Sequence, residues 1–300
     1  MTATALDLST ARRRPFQRAV RIALFACAAS VLVTAGIVSS LLADTVAFFR
    51  RVGVVDYLTS ADWSPQSGSY GVLELVYGTM IVTLGAMAIA APLGVAAAIY
   101  LSEYASPRVR NVVKPALELL AGIPTVVFGY FALNFVTPSL LRTLSEGCGI
   151  FNWASAAIVV GLFILPIVAS LSEDALRAVP RSLREGAYGL GASRLDVATR
   201  VVLPAALSGV VASLILATSR AVGETMAVTI AAGATPQIAL DPCTSVQTMT
   251  AYIVQVAGGE ASAGSLEYGS IFALGTTLFV MTLALNYVSI RFVRRFREVY

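Results

Sequence analysis

The chain has 300 residues, is 57% hydrophobic and only 13% charged, and carries a formal net charge of +4. A soluble domain carries about twice that charged fraction, which excludes an ordinary soluble protein. Histidine is absent, which removes the commonest general base and metal ligand.

Six apolar runs are long enough to cross a bilayer as helices, at roughly 20 residues each. They lie at about 22–43, 76–101, 113–138, 153–172, 207–232 and 270–291. The alternating pattern of a membrane barrel is absent, as are internal repeats. The expected fold class is an all-α membrane protein with six transmembrane helices. Its parts are a tail (1–21), a first helix (22–43) with an outward loop (44–75), a core of five helices (76–292) and a second tail (293–300).

The basic residues orient this chain. Arg12, Arg13, Arg14, Arg18 and Arg21 precede the first run, whose length of about 22 residues reads as an uncleaved anchor rather than a secretory leader. Arg108, Arg110 and Lys114 follow the second run. Arg177, Arg181, Arg184, Arg194 and Arg200 follow the fourth, and Arg291, Arg294, Arg295 and Arg297 end the chain. Only Arg50, Arg51 and Arg142 fall on the other side. The positive-inside rule then puts both termini in the cytoplasm. A charge so distributed speaks for membrane topology and against nucleic acid.

Along the chain, the first outward loop holds Trp63 and several tyrosines, which read as interface anchors. The second run contains Pro92 and Gly94, the third Gly122, Pro124 and Gly129, and the fourth Pro166. Proline kinks a helix, and freed backbone groups survive at membrane depth only against protein or a watery cavity. These runs therefore read as an inner wall. Cys148 and Cys243 fall in two outward loops, as free thiols or as a disulfide. Cys27 lies in the first run.

The inward loop between the fourth and fifth runs has more structure than a connector needs. Ser182 stands three residues before Glu185, the spacing of a capping box, and predicts a short helix to about Leu190. Gly191 permits the left-handed turn that ends helices. Ser193 and Asp196 repeat the box and predict a second helix to about Val202, with Pro204 beyond it. In the fifth run Arg220 and Glu224 stand four apart, on one face of a helix. A mid-span arginine costs about 3 kcal/mol on insertion scales, so it marks either a functional site or a structural ion pair.

In this loop the chain resembles the membrane subunits of ABC-type importers, whose signature is EAA-x3-G-x9-[I/V]-x-LP. Glu185, Ala187, Gly191, Val201, Leu203 and Pro204 match at that spacing, with Gly186 in place of the usual alanine. The resemblance implies a type I ABC importer permease fold and a loop 182–204 that docks on a separate ATPase. The segments RAVGETMAV (220–228), AGIPTVVFGYF (121–131) and LTSADWSPQSGSYG (58–71) resemble those of phosphate importer permeases, and the GETMAV form and the long first outward loop resemble the PstC type rather than the PstA type. The resemblance also implies a set of partners: a PstA-type permease subunit, a dimeric ABC ATPase that binds ATP and Mg, and an extracytoplasmic phosphate-binding protein. The expected location is the bacterial plasma membrane. Arg220 and Glu224 are the expected phosphate station, with Thr125, Ser219 and Thr225 as neighbouring hydroxyls.

Other readings remain open. A permease for sulfate, molybdate or phosphonate keeps the docking loop and changes the cargo, and the PstA-type partner subunit keeps both. An ion-driven carrier or channel has no use for that loop. A membrane enzyme lacks histidine and any His/Cys metal cluster. The single lysine, Lys114, is not in a phosphate-binding G-x-x-x-x-G-K-[ST] loop, so this chain is expected to hold no cofactor or nucleotide itself.

Overall fold

A computed structural model describes residues 8–145, 147–262 and 264–296 of the protein. The expected tails, 1–21 and 293–300, lie partly outside these residues. Among the described residues, four helices are long and apolar enough to cross a membrane, or six if each of two sharply bent pairs counts as one span.

The first helix, α1 (Leu8–Phe49), extends past its apolar run at both ends. Its apolar side chains, among them Phe25, Leu32 and Ile37, are exposed. Among its described side chains, the buried ones, Thr45 and Phe48, lie in the last turns. Thr45 donates to the Phe272 carbonyl at 2.9 Å and pairs with the Thr276 hydroxyl at 2.7 Å. A polar pair at such a crossing supplies what an apolar helix in lipid otherwise lacks.

The outward loop that follows is folded. It holds α2 (Val54–Thr59) and a hairpin in which β1 (Trp63–Ser64) pairs antiparallel with β2 (Ser69–Tyr70). Tyr57 and Trp63 are buried, which corrects their reading as interface anchors. Trp63 meets Tyr252 edge to face at 4.9 Å, the geometry the ring quadrupoles favour. Tyr57 bonds the Thr277 hydroxyl at 2.9 Å, and burial pushes its phenol up to about 12 against that bond.

Next comes α3 (Leu73–Ile99), which winds on through a wide turn to Tyr104. The third run is not one helix. It divides into α4 (Pro107–Ala121) and α5 (Thr125–Phe131), and α5 continues through wide turns to Leu144. The two arms meet at 88°. Pro124 causes the break, because it disfavours helical geometry in the residue before it and carries no donor of its own.

The centre of the bundle is α6 (Trp153–Ala178) packed along α3. Small residues allow the close approach. A side chain at Gly94 would strike Val168, and one at Gly161 would crowd the Ala86 carbonyl. This is the small-residue packing of membrane helices, where close backbones replace the hydrophobic effect.

On the inward side lie α7 (Arg181–Gly189) and α8 (Arg194–Asp196), which continues through wide turns to Ala205. A 72° bend leads into α9 (Leu207–Val222). The expected fifth span, 207–232, breaks at Gly223–Thr225 before α10 (Met226–Ala231). The outward return holds α11 (Met249–Gln255), a buried helix inside what reads as loop in the sequence. The last helix is α12 (Leu266–Phe296).

A disulfide joins Cys148 to Cys243, 95 residues apart. Backbone bonds reinforce the same seam, with Trp153 N donating to the Thr244 carbonyl at 3.0 Å and Val246 N to Ala232 at 3.0 Å. The Cys148→Ser/Cys243→Ser variant is expected to fold and to lose about 2–4 kcal/mol. Thermal unfolding of the purified protein checks this against the oxidised wild type, with reduced wild type as the matched control. A variant midpoint equal to that of the oxidised protein would show that the backbone seam suffices.

Candidate functional site

Arg220 stands in the last turn of α9, where a cation complements the negative end of the helix dipole. The helix stops at Gly223, and Glu224 falls in the break. There its side chain does two jobs. One carboxylate oxygen takes Arg220 Nη1 at 2.9 Å, and the other accepts from the Ala227 backbone N–H at 3.2 Å. Glu224 thus caps the start of α10 while holding the arginine. The Glu224 backbone carbonyl accepts from Thr250 Oγ1 at 2.7 Å, so α11 buttresses the break. Tertiary contacts satisfy the backbone that the interruption frees, as membrane depth requires.

The pair is asymmetric. The Glu224 side chain is 1% exposed and that of Arg220 is 42% exposed. Beneath Arg220 lies the Phe163 ring of α6, 4.5 Å from the guanidinium carbon. One edge of the guanidinium is held by carboxylate and one face by an aromatic ring. With five N–H donors in a fixed fork, it keeps donors for a ligand on its open side.

The hydroxyls singled out in the sequence do not converge here. Ser219 donates to Asn286 Oδ1 at 3.3 Å, tying α9 to α12, and Thr225 bonds the Gly223 carbonyl at 3.1 Å. Thr125 begins α5, which packs on α10 through Gly129 and Ile230. Among the described residues, none of the three bonds the Arg220–Glu224 pair. Thr250 and Phe163, which do bear on it, carry no local sequence signal.

The segment 182–204 is two helices about Gly191, whose φ of +84° is left-handed. The first capping box does not form. α7 already begins at Arg181 behind Pro180, so Ser182 sits inside the helix. The second forms: Ser193 caps α8 by accepting from Asp196 N at 3.2 Å and bonds the Asp196 carboxylate at 2.5 Å. Glu185, Gly186 and Pro204 are exposed, and Leu190 is 91% exposed. Ala187, Val202 and Leu203 turn inward onto a core that includes Ala98 and Leu176. Val201 is half-buried. A side chain at Gly186 would meet nothing within 4 Å, so glycine in place of alanine there changes no packing.

Two ion clusters lie on this inward side, the first rooting the segment and the second joining α4 to α6, and sequence reasoning missed both. Arg184 donates to the Leu176 and Val179 carbonyls at 2.8 and 2.6 Å, capping the end of α6. It also reaches Glu103, at the end of α3, at 2.8 Å. The second cluster surrounds Glu173, whose side chain is fully buried. Arg110 and Lys114 each approach it to 2.8 Å, clamping α4 to α6. A displacement of α7 therefore pulls directly on α3 and α6.

The family described as binding-protein-dependent transport system inner membrane component matches residues 90–298. A probable ABC transporter permease protein, YqgH of Bacillus subtilis, is 36% identical over 80% of this chain and 79% of its own length. The phosphate transport system permease protein PstC of Mesorhizobium japonicum is 33% identical over 85% of this chain and 84% of its own. Among solved structures, a chain of a bacterial alginate ABC transporter overlays with a TM-score of 0.66 at 16% identity, covering 94% of this chain and 96% of that one.

Proposed function

The chain belongs to the binding-protein-dependent transport system inner membrane component family, and on that premise we propose that it is the PstC-type subunit of an ATP-driven phosphate importer. It is a multi-pass permease subunit of the bacterial plasma membrane, with the fold of type I ABC importers. The phosphate assignment is supported by PstC relatives along most of the chain and carried by one observation. An arginine with free donors stands at a helix break, held by a buried glutamate.

In this reading both termini face the cytoplasm. A phosphate-binding protein docks outside and releases its anion into a path shared with a PstA-type subunit. Arg220 offers the anion a planar fork of N–H donors that matches an oxyanion. Glu224 orients that fork and tempers its attraction, since conduction requires the ion to leave. The dimeric ATPase holds ATP and Mg and grips the Glu185–Pro204 segment. Its motion passes through Arg184 to α3 and α6.

Uptake of radiolabelled phosphate by the reconstituted complex, challenged with excess sulfate, tests the cargo. Phosphate uptake indifferent to sulfate is expected. Preferential uptake of sulfate, molybdate or phosphonate would replace phosphate while leaving the permease reading intact.

A further inference from the structure

A second cationic site lies on the inward side, away from Arg220. The ends of α3 and α6, the start of α4 and the helices α7 and α8 enclose a pocket of about 430 Å³. Arg110, Arg177, Arg181, Arg184 and Arg194 line it, with Glu103 as the lining acid. Membrane topology asks for arginines near these helix ends, but not for five from four different elements to face one cavity.

Their commitments differ. Arg110 is spent on Glu173 and Arg184 on Glu103 and two carbonyls. Arg177 stands 3.7 Å from Glu173, beyond hydrogen-bond distance. Arg194 makes a stacking contact over the Tyr104 ring at 5.3 Å, which leaves its N–H edges free. Arg181 has no ion pair or side-chain hydrogen bond among the described residues. Setting Glu103 and Glu173 against the five arginines leaves an excess of three positive charges. Counting the exposed Glu185 as well leaves two. Lys114 and Asp174 pair with each other at the rim of the Glu173 cluster and cancel.

We propose that this pocket binds a phosphate-bearing anion through Arg177, Arg181 and Arg194. Guanidinium forks match a tetrahedral oxyanion in charge and in geometry, and the volume falls in the range of small-ligand pockets. The anion bridges α6 to α7 and α8, and so restrains the coupling segment relative to the spans. Free phosphate and a phospholipid headgroup share this chemistry. The binding claim stands on the pocket alone. The restraint of coupling rests on the reading of 182–204 as the ATPase dock.

The test uses the full chain purified in detergent, so that it stands even if no ATPase docks. Binding is read by calorimetry with inorganic phosphate, and by native mass spectrometry after exposure to phosphatidylglycerol vesicles. Arg220→Gln serves as the background, which removes the transport station. Arg181→Gln/Arg194→Gln in that background is expected to weaken binding about ten- to hundredfold. Loss of inorganic phosphate binding identifies a free-anion site, and loss of retained lipid alone identifies a headgroup site. Phosphate and lipid binding that both ignore these arginines would overturn the proposal. So would loss of ATPase copurification in the double variant when the parent chain binds neither anion, since the pocket would then seat acidic side chains of the ATPase.

Discussion

Arg220→Gln is expected to reduce phosphate uptake by at least about a hundredfold while the protein still reaches the membrane. The expectation combines two losses. The path loses its fixed positive charge, and Glu224, 1% exposed, loses its partner at 2.9 Å. Stranding one member of a buried pair costs about 3–5 kcal/mol, so the single variant also loses stability. The double variant Arg220→Gln/Glu224→Gln separates the two effects. A neutral amide at residue 224 still accepts from Ala227 N, which restores the cap and much of the stability. If the pair served only to brace the helices, transport would return with it. If Arg220 is the anion station, stability returns and uptake does not. Arg220→Lys is expected to fall between, since an ammonium keeps the charge but loses the fork. Normal uptake by Arg220→Gln at normal expression would remove the arginine from the mechanism.

How much of this site was legible depends on how local each signal is. The six apolar runs and the Arg220–Glu224 spacing are local: the runs read as membrane segments, though the third and fifth are broken, and the spacing as an ion pair. The break between α9 and α10 is not local. No proline marks it, and a continuous helix through Gly223 would have been the economical reading. The break is held by Thr250, 26 residues away, and by the Glu224 carboxylate acting as a cap. The same holds for α11, whose apolar stretch is too short to stand out and whose burial comes from packing. Trp63 read as an anchor because aromatic residues do favour membrane interfaces. What overrode that preference was Tyr252, brought against it by the fold. The failed capping box at Ser182 is the reverse case: a valid local motif pre-empted by Pro180, which starts the helix too early for Ser182 to cap it.

In the proposed docking segment, backbone conformation rather than side-chain chemistry makes the sharpest prediction. Gly191→Pro is expected to abolish copurification of the ATPase. Proline holds φ near −65°, whereas residue 191 sits at +84°. It would also remove the N–H that donates to the Tyr188 carbonyl at 2.9 Å. Gly191→Ala isolates the milder part of this effect. Its Cβ would meet nothing within 4 Å, so its cost is the left-handed backbone alone, about 1–2 kcal/mol. The alanine variant is therefore expected to keep a weakened complex. Glu185→Arg completes the series from the other direction. Glu185 is exposed and has no ion pair among the described residues, so the reversal leaves the fold of 182–204 intact and changes only what a partner meets. ATPase copurification and phosphate-stimulated ATP hydrolysis read all three variants. Loss in Gly191→Pro and Glu185→Arg with partial retention in Gly191→Ala is the expected order. An intact, phosphate-stimulated complex in Gly191→Pro would mean that the ATPase grips this chain elsewhere, and that the exposed face of Glu185, Gly186 and Leu190 serves another purpose.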